Sequence, residues 1–203
     1  MHQRGIAAIL LAAGESRRMG RPKPLLEWQG TTLIEYQVAQ LQEAGIPNVI
    51  AVQGYAADEI EPLVTAAGAR AVLNEGWREG RASSLCAGAD AIDSADAIVV
   101  LSVDQPRPAE VTRRLLDHHA RTSALITVPT HAGHRGHPVV LDGSLLPELR
   151  DVDEESEGLR AVIARRADDV REVPFDSPAV LLDLNTPKDY ETAKSAFARE
   201  VPR

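Results

Sequence analysis

Short runs that are apolar almost throughout alternate along this chain with longer segments whose apolar residues recur at helical spacing. The first kind includes "IAAILLA" (6–12), "NVIAVQ" (48–53), "RAVLN" (70–74) and "AIVVLSV" (97–103). The second includes "TLIEYQVAQLQEAG" (32–45), "ADEIEPLVTAAG" (57–68), "SSLCAGADAI" (83–92) and "PAEVTRRLLDHHA" (108–120). A strand with no polar face must be covered on both sides, which is the condition of a central strand in a parallel sheet between helical layers. The pattern therefore predicts an α/β fold, a three-layer sandwich with a Rossmann-like, mostly parallel sheet. With 203 residues and 44% hydrophobic content the chain can bury a full core, and the length favours one domain spanning 1–203.

The first helix is marked at both ends. Thr32 and Glu35 have the spacing of a capping box, Ile34, Val38 and Leu41 share one face, and Gly45 is placed to terminate it. Beyond "ALITVPT" (124–130) the alternation loosens into "HAGHRGHPVVL" (131–141), an acidic "DVDEESEG" (151–158) and a short helix "LRAVIARRA" (159–167). Strands are predicted at "VREVPF" (170–175) and "AVLLDL" (179–184), and the region as a whole reads as an antiparallel addition to the sheet. "KDYETAKSAFA" (188–198) reads as a closing helix behind Pro187, with the last residues expected to fray.

Lys and Arg number 22 against 30 Asp and Glu, a net charge of −8. That balance argues against nucleic acid or an anionic membrane as partner, so an anionic ligand must meet a local basic site. The single cysteine, Cys86, cannot make an intrachain disulfide and reads as an inert thiol in an apolar helix. The sequence contains neither a signal peptide nor an apolar run of bilayer length, so a cytoplasmic location is expected.

Such a basic site follows the first strand directly. In an open α/β sheet ligands bind beyond the carboxyl ends of the strands, where "GESRRMGRPK" (14–23) lies. Gly14 and Gly20 would let the loop curl with its amides inward, while Arg17, Arg18, Arg21 and Lys23 supply charge. The combination suits a polyphosphate, although charge spacing alone reads equally as a solvated turn. The loop matches neither the G-x-G-x-x-G fingerprint nor a Walker A sequence.

Asp104 closes the run "AIVVLSVD" at the same sheet edge, placing a carboxylate where Mg²⁺ can bridge it to phosphate oxygens. The alternative is that it only initiates the turn "DQPRP". Asp183 ends a later apolar run, with Asn185 two residues on as an oxygen ligand or sugar contact. Thr186, Pro187 and Asp189 fit a helix start. Ser83 and Ser84 can present hydroxyls and amides to a ribose or act as an ordinary N-cap. His131, His134 and His137 have a three-residue spacing that invites a zinc reading, weakened by the lack of an acidic or cysteine partner.

"LAAGESRRMGRPK" resembles the L-A-A-G-x-S-x-R-M-G-x-x-K signature of the MobA-like nucleotidyltransferases, and within them the molybdenum cofactor cytidylyltransferases. The likeness continues in order through "NEGWREGRASSLCAG", "VVLSVDQP", "RGHPVVL" and "LLDLNTPKDY", covering nearly the whole chain. The resemblance implies a fold of the nucleotide-diphospho-sugar transferase type, a nucleoside triphosphate donor, magnesium, and transfer of a nucleoside monophosphate to a phosphate-bearing acceptor. In this branch the donor is CTP, the acceptor the molybdenum cofactor (a molybdopterin), the product a cytosine dinucleotide cofactor, and a molybdoenzyme the recipient.

Carried onto this sequence, the resemblance gives Arg18, Lys23 and Asp104 catalytic roles and makes Asp104 and Asp183 the magnesium ligands. The nucleotide would lie on Leu11, Ala12, Ala13, Gly14, Glu15, Ser16, Arg17, Arg18, Met19, Gly20, Lys23 and Ser84, and the acceptor on Gln105, Arg135 and His137. Guanylyl-transferring relatives usually carry two glycines where this chain has Ala13 and Gly14, which favours cytidine. The chain departs from the family at Val103, where a small residue is common, and at Arg81, where an uncharged one is frequent. Alternatives are a transferase using GTP or another phosphorylated acceptor, and a catalytically silent nucleotide- or cofactor-binding chaperone.

Overall fold

The computed structural model describes residues 5–155 and 158–200. Ser156 and Glu157 of the acidic stretch, and residues 201–203 at the end expected to fray, lie outside the described residues. In chain order the elements are β1 (Ile6–Leu11), β2 (Glu27–Trp28), β3 (Thr31–Thr32), α1 (Leu33–Glu43), β4 (Asn48–Gln53), α2 (Ala57–Ala66), β5 (Arg70–Leu73), α3 (Arg81–Asp90), β6 (Ala97–Ser102) and α4 (Ala109–Arg121). They continue with β7 (Ile126–His131), β8 (His134–Arg135), β9 (Val139–Asp142), α5 (Leu146–Arg150), α6 (Leu159–Arg165), β10 (Val170–Pro174) and α7 (Pro187–Glu200).

The main sheet runs β10-β7-β9-β6-β1-β4-β5, with β8 folded back on β7. β1 lies parallel between β6 and β4, and β5 extends that parallel set at one edge. β9 runs antiparallel to both β6 and β7, so the antiparallel addition is inserted in the middle of the sheet. Buried Val139, Val140 and Leu141 give β9 the all-apolar character of a central strand.

Alternate residues of β1 feed two cores. Ala8 and Leu10 pack with α1, α2, α4 and α7, while Ala7 and Ile9 pack with α3, α5 and α6. This is the predicted three-layer α/β sandwich. Among the described residues no helix is long and apolar enough to cross a membrane.

The predicted caps form. Thr32 Oγ1 accepts from Glu35 N while the Glu35 carboxylate accepts from Thr32 N at 3.1 Å, and Gly45 takes φ 95° just past α1. Thr186 and Asp189 make the corresponding reciprocal pair before α7, at 2.9 and 3.2 Å. One strand prediction fails: "AVLLDL" forms a 3₁₀ turn over Pro178–Leu181 and then an extended segment outside the sheet. The carbonyls that a strand would offer to a neighbour are taken by side chain and loop instead, Val180 O by Arg107 and by His137 N, and Leu182 O by Arg107.

Helix α3 approaches the sheet closely because residue 88 has no side chain. A Cβ built on Gly88 would lie 2.5 Å from Ile9 Cγ2 and 3.0 Å from Val52 Cγ2. Gly88→Ala is therefore expected to destabilise the fold by up to about 2 kcal/mol. Overpacking costs about 1–3 kcal/mol, whereas better helix propensity returns only about 1 kcal/mol. Urea unfolding of parent and variant measures this, and an unchanged midpoint would show that α3 can shift freely.

Candidate active site

The loop after β1 is built by continuing the strand and then turning sharply. Ala12 N donates to Val52 O at 2.8 Å, Val103 N donates to Leu11 O at 2.9 Å, and Tyr55 N donates to Ala13 O at 3.0 Å, so three chain segments meet at the sheet edge. The left-handed positions are Ser16 (φ 57°) and Gly20 (φ 71°); Gly14 does not share that conformation. Gly14 matters by its bareness, since an added Cβ would meet nothing within 4 Å and would stand in open space. Ser16 Oγ accepts from Lys23 N at 3.2 Å, closing the loop on itself, and Met19 anchors it in the core.

That closure aims Lys23 inward. Its Nζ donates to Asp104 Oδ2 at 2.6 Å and to Asn185 Oδ1 at 3.4 Å, in a setting where Lys23 and Asp104 are both buried. Leu184 N donates to Asp104 O at 2.8 Å, and Gln105 Nε2 donates to Asp183 Oδ1 at 2.9 Å, so the 183–185 segment is docked on the turn after β6. Lys23, Asp104, Asp183 and Asn185, distant in sequence, thus form one cluster.

Two buried side chains hold that cluster from behind, and sequence reasoning missed both. Gln37 of α1 donates Nε2 to the carbonyls of Ser102, Val103 and Gln105, and its Oε1 accepts from Arg107 N. Arg107, 1% exposed, donates Nε to His137 O, Nη1 to Pro106 O and Leu182 O, and Nη2 to Val180 O, all at 2.9–3.0 Å. Burial pulls its pKa down to about 10, against the opposing pull of Asp183 and Asp104. The guanidinium fork matches several carbonyls at once, which a lysine cannot do. The only signal in the sequence was a charged residue between two prolines, "PRP", directly after the candidate metal ligand.

A cleft of about 580 Å³ opens over the loop, lined by residues 11–17, Lys23, Asp104, Ser84 and, from the far wall, Trp77, Arg78 and Arg81. A second, of about 720 Å³, adjoins it and shares Leu11, Arg81, Ser102 and Glu154. Its floor is apolar, from Leu85, Val100, Val128 and Val139, and Gln105, Arg135 and His137 stand on its wall. Of the residues expected to hold nucleotide, Arg18 and Gly20 are exposed and Met19 is buried, and none of the three lines either cleft. Arg17 is paired with Glu15 at 2.7 Å and Arg135 with Glu172 at 2.7 Å, both at the surface.

Neither serine is an N-cap. Gly80 begins α3, Ser83 Oγ donates to Gly80 O and Gly76 O, and buried Ser84 accepts from Asn74 Nδ2 at 3.0 Å. The three histidines do not converge: His131 Nδ1 lies 2.9 Å from Phe175 O, His134 is exposed, and His137 faces the second cleft. Among the described residues no three His, Cys, Asp or Glu side chains gather to hold a metal ion. A magnesium-like ion, however, needs only one or two carboxylates when substrate phosphates complete its shell. Asp104, which lines the first cleft, and Asp183, which Gln105 holds on the neighbouring segment, fit that requirement, with Asn185 sharing Lys23 with Asp104. Cys86 is half-buried against Val152 O, and burial raises its thiol pKa, as expected of an inert cysteine.

The profile of the MobA-like NTP transferase domain matches residues 8–170. Nicotine blue oxidoreductase of Paenarthrobacter nicotinovorans is 32% identical over 168 residues, 79% of this chain and 82% of that protein. The molybdenum cofactor cytidylyltransferase of Escherichia coli is 23% identical over 95% of this chain and 97% of its own. Among solved structures, Rv0371c of Mycobacterium tuberculosis superposes with a TM-score of 0.82 at 28% identity, covering 96% of this chain and 100% of the other. A complex of Rv0371c with manganese gives 0.78 at 26% identity, covering 95% and 99%.

Burial lowers the His137 pKa to about 4, with Arg107 and Arg81 adding to the shift and Asp183 and Asp104 opposing it. Between that value and the ordinary 6.5 the unfolded chain binds the proton and the folded chain does not, so stability falls as pH drops through this window. His137→Asn should flatten that part of the stability–pH curve. Urea midpoints of both proteins from pH 7 to 4 test this, and parallel curves would contradict a buried neutral imidazole.

Proposed function

The chain belongs to the MobA-like NTP transferase family, and from that premise we propose that it moves CMP from CTP onto the terminal phosphate of a molybdopterin-type cofactor, releasing pyrophosphate. The observation that carries the reading is the buried Lys23–Asp104 pair lining the cleft over the polar 11–17 loop, with Asp183 held beside it through Gln105 and a second cleft, floored by apolar side chains, adjoining. The similarity to the E. coli cytidylyltransferase, which extends over nearly both chains, supports this acceptor over others. Ala13 in place of a glycine narrows the space above the loop and favours the smaller pyrimidine.

In this reading the triphosphate lies along residues 11–17, where bare Gly14 lets the backbone come close. Lys23 transfers its ammonium from Asp104 to the α-phosphate and balances charge there as the transition state forms. Arg18 swings inward to hold the leaving pyrophosphate. Asp104 and Asp183, with Asn185, would hold a divalent ion, which would supply charge neutralisation to the triphosphate. An anionic oxygen of the acceptor phosphate attacks the α-phosphorus, and the bond to the pyrophosphate oxygen breaks. No proton has to move, so no general base is required. Gln105, Arg135 and His137 orient the acceptor in the second cleft, and the recipient of the product is a molybdoenzyme.

The oxidoreductase relative favours a second reading, in which a reduced nicotinamide dinucleotide lies in the first cleft and an aromatic substrate on the apolar floor of the second. The Lys23–Asp104 pair beside the loop-side cleft is accounted for by phosphate and metal binding in the transferase reading and has no assigned part in the second. Thermal unfolding with Mg²⁺ or Mn²⁺ plus CTP, GTP or ATP, beside NADH and NADPH, separates the readings. At 100 times its Kd a ligand adds about 2.7 kcal/mol, or about 5–10 °C for a chain of this size. A metal-dependent shift with CTP is expected, abolished in Asp104→Asn. A shift with GTP alone would move the chain to the guanylyl branch, and a metal-independent shift with a nicotinamide dinucleotide would overturn the transferase reading.

A further inference from the structure

Of the four residues that line both clefts, Arg81 is the one cation, and it has no role in the proposed transfer. It occupies the first position of α3, is exposed, and lines the loop-side cleft and the apolar cleft alike. The other cations at these walls are committed: Lys23 to Asp104, Arg17 to Glu15, Arg135 to Glu172, and Arg78 to the face of Trp77 at 4.3 Å. Arg160, on the second cleft, has a partner of its own. Among the described residues the Arg81 guanidinium makes no hydrogen bond or ion pair, although a carboxylate stands nearby. Glu154 lines both clefts too, yet its Oε2 accepts from Ala82 N at 2.9 Å and lies over Gly80, where a Cβ would be 2.3 Å from its carboxyl carbon.

A free cation at the junction of two clefts is what the chemistry of two approaching anions requires. When an anionic nucleophile meets a triphosphate, repulsion is greatest at the point where the compartments join, and a guanidinium there offsets it with directed hydrogen bonds. We propose that Arg81 binds the anionic group of the acceptor and restricts the enzyme to acceptors whose attacking group is itself a phosphomonoester. This rests on the transferase reading and adds to it the residue that selects the acceptor. It also moves the acceptor's charge from Arg135, which is held by Glu172 at the surface, to the cleft junction.

Phenyl phosphate serves as the probe, titrated calorimetrically into protein saturated with Mn²⁺ and α,β-methylene-CTP, with benzyl alcohol as the uncharged control. Arg81→Met should weaken phenyl phosphate at least tenfold, Arg81→Lys should fall between parent and Met, and affinity for the nucleotide analogue should stay within threefold. Equal affinity of parent and Met variant, or no binding of phenyl phosphate to the parent, would overturn the proposal. Parallel loss of analogue and phenyl phosphate would also overturn it, by placing Arg81 in the donor site. If the parent fails to bind the analogue while phenyl phosphate binding still falls in the variant, the CTP reading is lost and the assignment of Arg81 stands.

Discussion

The buried ion pair between Lys23 and Asp104 is the interaction on which the rest of the site depends. It joins the loop after the first strand to the turn after β6 at 2.6 Å, with side chains only 11% and 9% exposed. Withdrawing two charges from water costs several kcal/mol per ion, and replacing such a pair by apolar residues is often neutral or stabilising. Stability alone therefore does not account for placing it here. A cation and an anion stored against one another at the floor of an open cleft are available to exchange partners, the ammonium for a phosphate and the carboxylate for a metal ion. The pair keeps both groups aligned at the cleft.

Holding that pair in place requires rigid backbone in segments with no regular structure. Gln37 and Arg107 supply it by bonding directly to loop carbonyls that would otherwise be buried without partners. Arg107 gathers the turn after β6, the residue before Pro138 and the 180–182 segment around one guanidinium, and so sets where Asp183 lies. Close packing of α3 on β1 through Gly88 fixes the opposite wall, which carries Arg81 and Ser84. The site is thus positioned by a few polar side chains reaching across the core and by one missing side chain.

Much of the scaffold was legible in the sequence because it follows local rules. All-apolar runs gave the parallel strands, Thr32 with Glu35 and Thr186 with Asp189 marked helix starts, and the position of "GESRRMGRPK" after a strand placed the loop at the ligand edge. Features set by tertiary partners were not legible. "AVLLDL" has the composition of a strand, and only the buried guanidinium of Arg107 shows why its carbonyls turn elsewhere. Gly20 takes the left-handed conformation, but the second such position in the loop is Ser16 and not Gly14, where closing the loop through the Ser16–Lys23 bond fixes the backbone. β9 enters between β6 and β7, a topological choice that alternation cannot reveal. Arg18 was singled out by its place in a motif, and it is exposed and lines neither cleft.

We propose that Asp104 and Asp183 share a divalent ion that brings the phosphates of a nucleotide onto the 14–23 loop. Anomalous diffraction from crystals grown with Mn²⁺ and α,β-methylene-CTP tests it directly. The account predicts one manganese peak between the two carboxylates, with Lys23 Nζ moved from Asp104 to the α-phosphate and the triphosphate along the loop. Manganese bound away from this pair, or a triphosphate lying elsewhere while Lys23 remains on Asp104, would contradict it.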